Sequence, residues 1–199
     1  MNQIMQDIQQ NLSSRKKTDR IMWFSMWAVL AVASFGIAWF PMIYYCIKRR
    51  NDHFARQEKL QKLVLSKLNE KSEPSSDYIL KPKNAALWTT ATVLIVPSFY
   101  LFYWLKKDLQ EHEMREHMFL SKVTKAAQES GINIGVQSFA TTPSFPVGKY
   151  VFLSVVSCGL VAAYWLYRLF NDYNDHFKMQ WIIEDKLLQF LKEFDKKSS

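Results

Sequence analysis

Three runs without a single charged residue constrain this chain more than any other feature: Ile21 to Ile47, Ala85 to Leu105 and Tyr150 to Tyr167. A helix needs about 20 apolar residues to cross the roughly 30 Å hydrocarbon layer of a bilayer. The first two runs meet that length as they stand. The third meets it through Leu169 and Phe170, provided Arg168 lays its stem along the lipid and keeps its guanidinium at the interface. Only 49% of the residues are hydrophobic, an average that suits a soluble protein, but the average conceals this segregation. The runs predict an all-α, multi-pass protein of the cell membrane with spans at 21–47, 85–105 and 150–170. Ala31-Val32-Ala33, preceded by Arg15, Lys16, Lys17 and Arg20, has the outline of a signal-peptide cleavage site. The apolar run continues well past Ala33, however, so it reads as a retained span.

The tetrapeptide Asn-Asp-His-Phe occurs twice, at 51–54 and 174–177, each time just beyond an uncharged run. Its surroundings repeat too. Residues 34–57 align without a gap on 157–180, placing Ser34 on Ser157, Gly36 on Gly159, Tyr44 on Tyr167, Asn51 on Asn174, Asp52 on Asp175, His53 on His176 and Gln57 on Gln180. A weaker copy lies between them, with Tyr103 under Tyr44 and His112 under His53, and with Ile95 in place of the glycine. Similarity at a fixed register is the mark of a repeated structural unit. Three units follow: 21–70, 85–128 and 150–199, each a span continued by an amphipathic helix. In the first, Phe54, Leu60, Val64 and Leu68 recur at helical spacing; in the third, Phe177, Trp181, Leu187, Leu188, Leu191 and Phe194 form a broader stripe. These helices either lie among lipid headgroups or pack on one another. Residues 1–20 read as a polar tail, and 71–84 and 129–149 as linkers rich in Pro, Ser and Gly.

Residues 152–172 resemble small prokaryotic membrane domains classed only as a domain of unknown function. Their pattern is Ser/Thr-x-Gly-Ile within an apolar run, followed by Tyr-Trp-x-Tyr-Arg. Ser157, Gly159, Tyr164, Trp165, Tyr167 and Arg168 match it; in the first unit Ser34, Gly36, Ile37 and Tyr44 do, while Pro41 and Met42 replace the Tyr-Trp pair. The resemblance implies a membrane location and no known activity.

The chemistry-bearing residues are few. His53, His112 and His176 share one repeat position, with His117 nearby, and imidazoles there are candidate ligands for haem or a transition metal. No histidine has a second His or Cys at the helical spacing of a metal site, so the sequence by itself favours interfacial hydrogen bonding beside Asp52 or Asp175, with no metal and no cofactor. There is no phosphate-binding glycine loop, no nucleophile elbow and no H-E-x-x-H, which argues against an enzyme. No ionisable group lies within the runs, which weakens a transport role. Cys46 and Cys158 read as small buried hydrophobes. The net charge of +8 flanks the uncharged runs and carries no nucleic-acid-binding signature, so its expected partner is the anionic headgroup layer of a lipid bilayer rather than nucleic acid. The expected role is a non-enzymatic structural, assembly or partner-binding component, possible as a homo- or hetero-oligomer. The alternatives are a haem- or metal-binding redox subunit using the repeated histidines and a small transport subunit.

The charge distribution sets the expected topology. If each run crosses once, 16 Lys and Arg residues fall on the side of the C-terminus and 10 on the side of the N-terminus, placing the C-terminus in the cytoplasm. Doubled-back, re-entrant runs are disfavoured, because 27 residues at about 1.5 Å each cannot cross twice and a backbone turn in lipid needs protein cover.

Overall fold

A computed structural model describes residues 3–69, 80–135, 142 and 146–198. Every regular element among them is a helix: α1 (Gln3–Ser13), α2 (Arg15–Thr18), α3 (Phe24–Ala33), α4 (Trp39–Lys67), α5 (Ala85–Ala91), α6 (Ile95–Glu129), α7 (Val147–Val156) and α8 (Leu160–Ser198). The all-α class agrees with expectation; the three membrane crossings do not. Among the described residues no helix is long and apolar enough to cross a membrane. This overturns the multi-pass architecture, the transmembrane helices and the multi-pass cell-membrane localisation read from the uncharged runs.

The physical reason lies in the middle of each run, where the chain reverses. In the first, Gly36 N–H donates to Ala31 O at 2.7 Å and Phe35 N–H to Val32 O at 3.2 Å, the paired bonds of a Schellman helix end. Phe35 and Gly36 both carry positive φ, 50° and 89°. Ser34 Oγ then accepts from Ala38 N–H at 2.8 Å, fixing the start of the next helix. The third run repeats these contacts: Gly159 donates to Ser154 O and Cys158 to Val155 O, Cys158 and Gly159 have φ of 50° and 92°, and Ser157 Oγ accepts from Val161 N–H. The shared Ser-x-Gly is therefore a chain-reversal device and not part of a span. Gly at the last position avoids the Cβ clash of left-handed backbone; a Cβ built there meets no neighbour, so φ alone demands glycine. The second run turns at 92–94 without a glycine, and Ser98 Oγ donates back to Thr92 O.

Each unit is thus a short helix folded back along a long one. Trp27 meets Tyr45 across the first hairpin (ring centroids 6.3 Å), Trp88 meets Tyr100 across the second (5.6 Å) and Tyr150 meets Trp165 across the third (5.4 Å). The long helices α4, α6 and α8 run in one direction, because equivalent residues meet at successive levels. Phe102 touches Trp39 and Trp165 near the turns. Further along, Leu60 and Val64, Leu120 and Val123, and Leu187 and Leu191 share one apolar cluster. The amphipathic stripes therefore pack on one another. The N-terminal segment, expected as a polar tail, is helix α1, which lays Met5, Ile8 and Leu12 on that cluster. Cys46 is buried as expected, whereas Cys158 is exposed at a hairpin turn. Residues 70–79 of the first linker and 136–141 and 143–145 of the second lie outside the described residues.

Two apolar clusters result, one on the hairpin side built on Met42, Ile43, Leu101, Phe102, Trp165 and Leu169, the other toward the helix C-termini. At roughly 1.5–3 kcal/mol per large buried side chain, they supply the drive for assembly. Between them lies a polar layer that opposes it.

Candidate metal centre

The polar layer is built by the repeat. His53, His112 and His176 stand on α4, α6 and α8 at one level, all buried, with ring centroids 5.1–5.2 Å apart in every pair. One nitrogen from each ring lies within 4.8 Å of the others, a grouping able to hold a metal ion. His53 Nε2 and His176 Nε2 are 3.3 Å apart. Two imidazole nitrogens on a tetrahedral ion at 2.0–2.1 Å stand about 3.4 Å apart, so this pair already has ligand spacing. His112 brings its nitrogen within 4.8 Å of both, a spacing that a bound ion would draw in toward about 3.4 Å.

The next shell orients these rings. His53 Nδ1 sits 2.9 Å from Asp19 Oδ1. An ionised carboxylate only accepts, so His53 carries its proton on Nδ1 and turns the Nε2 lone pair to the centre, the arrangement carboxylates impose on metal-binding histidines. Asp19 is itself held by Arg56 Nη2 at 2.6 Å, Trp181 Nε1 at 2.8 Å and Thr18 Oγ1 at 2.8 Å. His176 Nδ1 lies 3.5 Å from Glu113, whose carboxylate also accepts from the backbone and hydroxyl of Thr142. Phe54 stacks on His112 at 4.2 Å and Phe177 closes over His53 at 4.5 Å.

Glu116, one helical turn beyond His112, completes the set. It is fully buried, and neither carboxylate oxygen has a hydrogen-bond partner among the described residues. Its oxygens stand 3.5 Å from His112 Nε2 and 3.8 Å from His176 Nε2, and His112 Nε2 likewise lacks a hydrogen bond. A buried carboxylate left this way is costly unless something neutralises it. At the equivalent repeat position the other units carry Gln57 and Gln180, both buried, so the carboxylate is specific to unit two.

Electrostatics follow from the same contacts. Burial pushes His53 down to about 3, against the opposing pull of Asp19, and burial with His176 beside it pushes His112 well below its ordinary value. Both rings are neutral, the form that binds metal. Burial also lowers His176, but Glu116 and Glu113 outweigh it and raise this ring. Burial raises Glu116. It works on Asp19 as well, yet His53 and Arg56 hold that carboxyl far below the usual range; with His53 neutral, Arg56 is the cation responsible. Arg56 is shared with Glu184 at 2.7 Å, which leaves Glu113 and Glu116 without a guanidinium of their own. His176 is the cationic partner nearest both carboxyls.

The other repeat residues have separate tasks. Asn51 holds the chain leading into hairpin two through Lys83 O and N, and Asn174 holds the chain leading into hairpin one through Met22 N and O. Gln110 occupies the same position in unit two and donates to Thr142 O ahead of hairpin three. These three contacts form a ring, each long helix gripping the approach to another hairpin. Asp52 and Asp175 pair with Lys48 and Lys178 at the surface, away from the imidazoles they were expected to serve. Gln57 donates to Glu184, while Gln180 is buried with no hydrogen bond to its Oε1. Tyr44, Tyr103 and Tyr167 are 39%, 38% and 43% exposed, one level on the outside of the bundle. His117 stays outside the cluster. Sequence reasoning missed Asp19, Arg56, Gln110, Glu113 and Glu116. The Gln57–Glu116–Gln180 correspondence, read off the His alignment, was the available signal for the last.

No known protein family matches this chain, and neither a curated protein nor a solved structure matches it.

Proposed function

We propose that the chain is a non-enzymatic metal-binding protein in which one divalent transition-metal ion, held by His53, His112, His176 and Glu116, locks three repeated units into a bundle. The observation that carries this reading is the convergence of three imidazoles, two of them held neutral, and one carboxylate with no hydrogen bond among the described residues, from three separate helices, in a single buried cluster. Three nitrogens and one oxygen suit zinc, iron or a neighbouring first-row ion. Four protein ligands with no opening to solvent belong to a structural site rather than a catalytic one, which keeps a position free for water. The ion also brings positive charge beside Glu116 and takes the place of the proton on His176. A haem does not fit the same residues, because rings 5.2 Å apart leave no room for the macrocycle between them.

One observation favours a second reading, in which a proton replaces the ion. Glu113, His176, His53 and Asp19 form a continuous polar file, with contacts of 3.5, 3.3 and 2.9 Å, along which a proton on His176 faces Glu113 at one nitrogen and His53 at the other. In that case the layer serves only to set helix register. Elemental analysis of the purified protein, followed by melting with and without added zinc after chelator treatment, separates the two. Near-stoichiometric metal and a zinc-dependent rise in melting temperature support the metal reading. A metal-free protein indifferent to zinc supports the proton.

A further inference from the structure

We infer that the three hairpin turns form one apolar end that seats in a single leaflet of a lipid layer bearing anionic headgroups, without crossing it. The turns lie on the same side of the molecule and at matched height. Gly36 precedes His53 by 17 residues and Gly159 precedes His176 by 17, while the second turn, ending at Leu94, precedes His112 by 18. With the three histidines in contact and the long helices running in one direction, each turn stands about 26 Å from the metal centre. The ends are apolar and open: Phe35 is 98% exposed, Ile95 75% and Leu160 76%. Exposed apolar clusters of this kind mark contact surfaces.

Two observations select lipid as the occupant and a third permits it. The first is charge. Over residues 20–51, 81–107 and 146–171, which make up the hairpin half, there are ten Lys and Arg residues and no Asp or Glu. Arg49, Arg50 and Lys106 are buried within the bundle, so the collar is made by the exposed Arg20, Lys48, Lys81, Lys107 and Lys149. Exposed cations beneath an apolar end complement anionic headgroups, each contributing on the order of 1 kcal/mol near such a surface. The second is thickness. The first charged residue past each turn on the long helix is Lys48, Lys106 or Arg168, 12, 12 and 9 residues on from Gly36, Leu94 and Gly159. That gives an uncharged slab of roughly 14–18 Å, half of the roughly 30 Å hydrocarbon core. Tyr44, Tyr103 and Tyr167 ring its lower edge, where interfacial aromatics sit. The third is backbone chemistry. A turn exposed to hydrocarbon must satisfy its own polar groups. Ser34 and Ser157 cover the amides of Ala38 and Val161, the Schellman bonds cover the helix ends, and Ser98 covers Thr92 O. The same bonds close helix ends that face water, so they permit lipid contact without selecting it.

The test uses the full chain and vesicles of phosphatidylglycerol mixed with phosphatidylcholine, compared with phosphatidylcholine alone. Cys158, exposed at the third turn, is labelled with a polarity-sensitive fluorophore, while Cys46 is buried and spared. Flotation with the anionic vesicles, weakened by salt, and a blue shift of the Cys158 label are expected. The triple variant Phe35→Asp, Ile95→Asp, Val156→Asp, altered only at exposed positions, should keep its helical circular dichroism and lose flotation. Flotation unchanged by the triple variant overturns the inference. So does a chain that never floats; if it forms dimers that the same variant dissociates, the apolar end belongs to a second copy. Metal content plays no part in these readouts, so this inference and the metal reading stand or fall separately.

Discussion

His53 Nε2 and His176 Nε2 lie 3.3 Å apart in the centre of the bundle although 123 residues separate them in the chain. The repeat makes this contact: two copies of one motif, on parallel helices at one height, bring identical side chains together, and the third copy adds His112. What the centre holds is decided by the residue that breaks the symmetry, Glu116, where the other units carry glutamine.

Glu116→Gln restores that symmetry and separates two effects. In metal-free protein it removes a buried, unsatisfied carboxyl, so stability should hold or rise by about 1–2 kcal/mol in chemical denaturation. Zinc affinity should fall at least tenfold on the order-of-magnitude scale of lost metal-site groups. A loss of metal-free stability with unchanged zinc affinity would place Glu116 in structural packing alone.

The acid response can be isolated with His112→Gln. His112 is held neutral in the fold by burial, with its folded value far below the ordinary 6.5. Below that ordinary value the unfolded chain takes up a proton that the folded chain does not, so wild-type stability falls as pH falls. The variant lacks this group. Metal-free wild type should therefore lose about 2 kcal/mol relative to His112→Gln between pH 7 and pH 5. Denaturant midpoints that keep a constant difference over this range would contradict a neutral buried ring.

Asn174 anchors the approach to the first hairpin by accepting from Met22 N–H at 3.1 Å and from Arg49 Nη1 at 2.9 Å and by donating to Met22 O at 2.8 Å. Asn174→Ala strands Met22 N–H and O, leaves Arg49 Nη1 only its 3.3 Å bond to Arg20 O, and should cost about 2–4 kcal/mol. Gln110→Ala removes one half-buried bond and should cost about 1 kcal/mol or less. Equal costs in thermal melts would disprove the ranking.

Gly36→Ala and Gly159→Ala test the chain reversals. With φ near 90° and open space around the missing Cβ, each should destabilise by about 1–2 kcal/mol through backbone strain alone. Gly148→Ala, in the first turn of α7 with ordinary φ and no neighbour at its Cβ, serves as the neutral control.

These positions also show what the sequence could and could not disclose. The register of the units was legible because His53, His112, Tyr44 and Tyr103 keep their spacing. The reversal inside each uncharged run was hidden. Phe35 and Cys158 occupy left-handed positions that their residue types do not advertise, so an uninterrupted apolar run reads as one long span. A run doubled back on itself needs no length for two crossings, because each short helix folds against a long one instead of spanning a bilayer. The centre itself was invisible to any search for helical metal spacing. Its histidines are 59 and 64 residues apart, one per helix, and meet only through tertiary packing. Asp19 was obscured by a segment whose polar letters suggested a tail, and Gln110 by replacing asparagine in an otherwise matched position.

The central claim is that the three repeated histidines and Glu116 share one ion, and X-ray absorption at the zinc edge tests it most directly. The chelator-treated full chain, loaded with one equivalent of zinc and dialysed, should retain the metal and show three imidazole nitrogens and one oxygen at about 2.0–2.1 Å. His53→Gln should lose one imidazole from that shell. Zinc that dialyses away, or a retained ion with only oxygen neighbours and a spectrum unchanged by His53→Gln, would contradict the account.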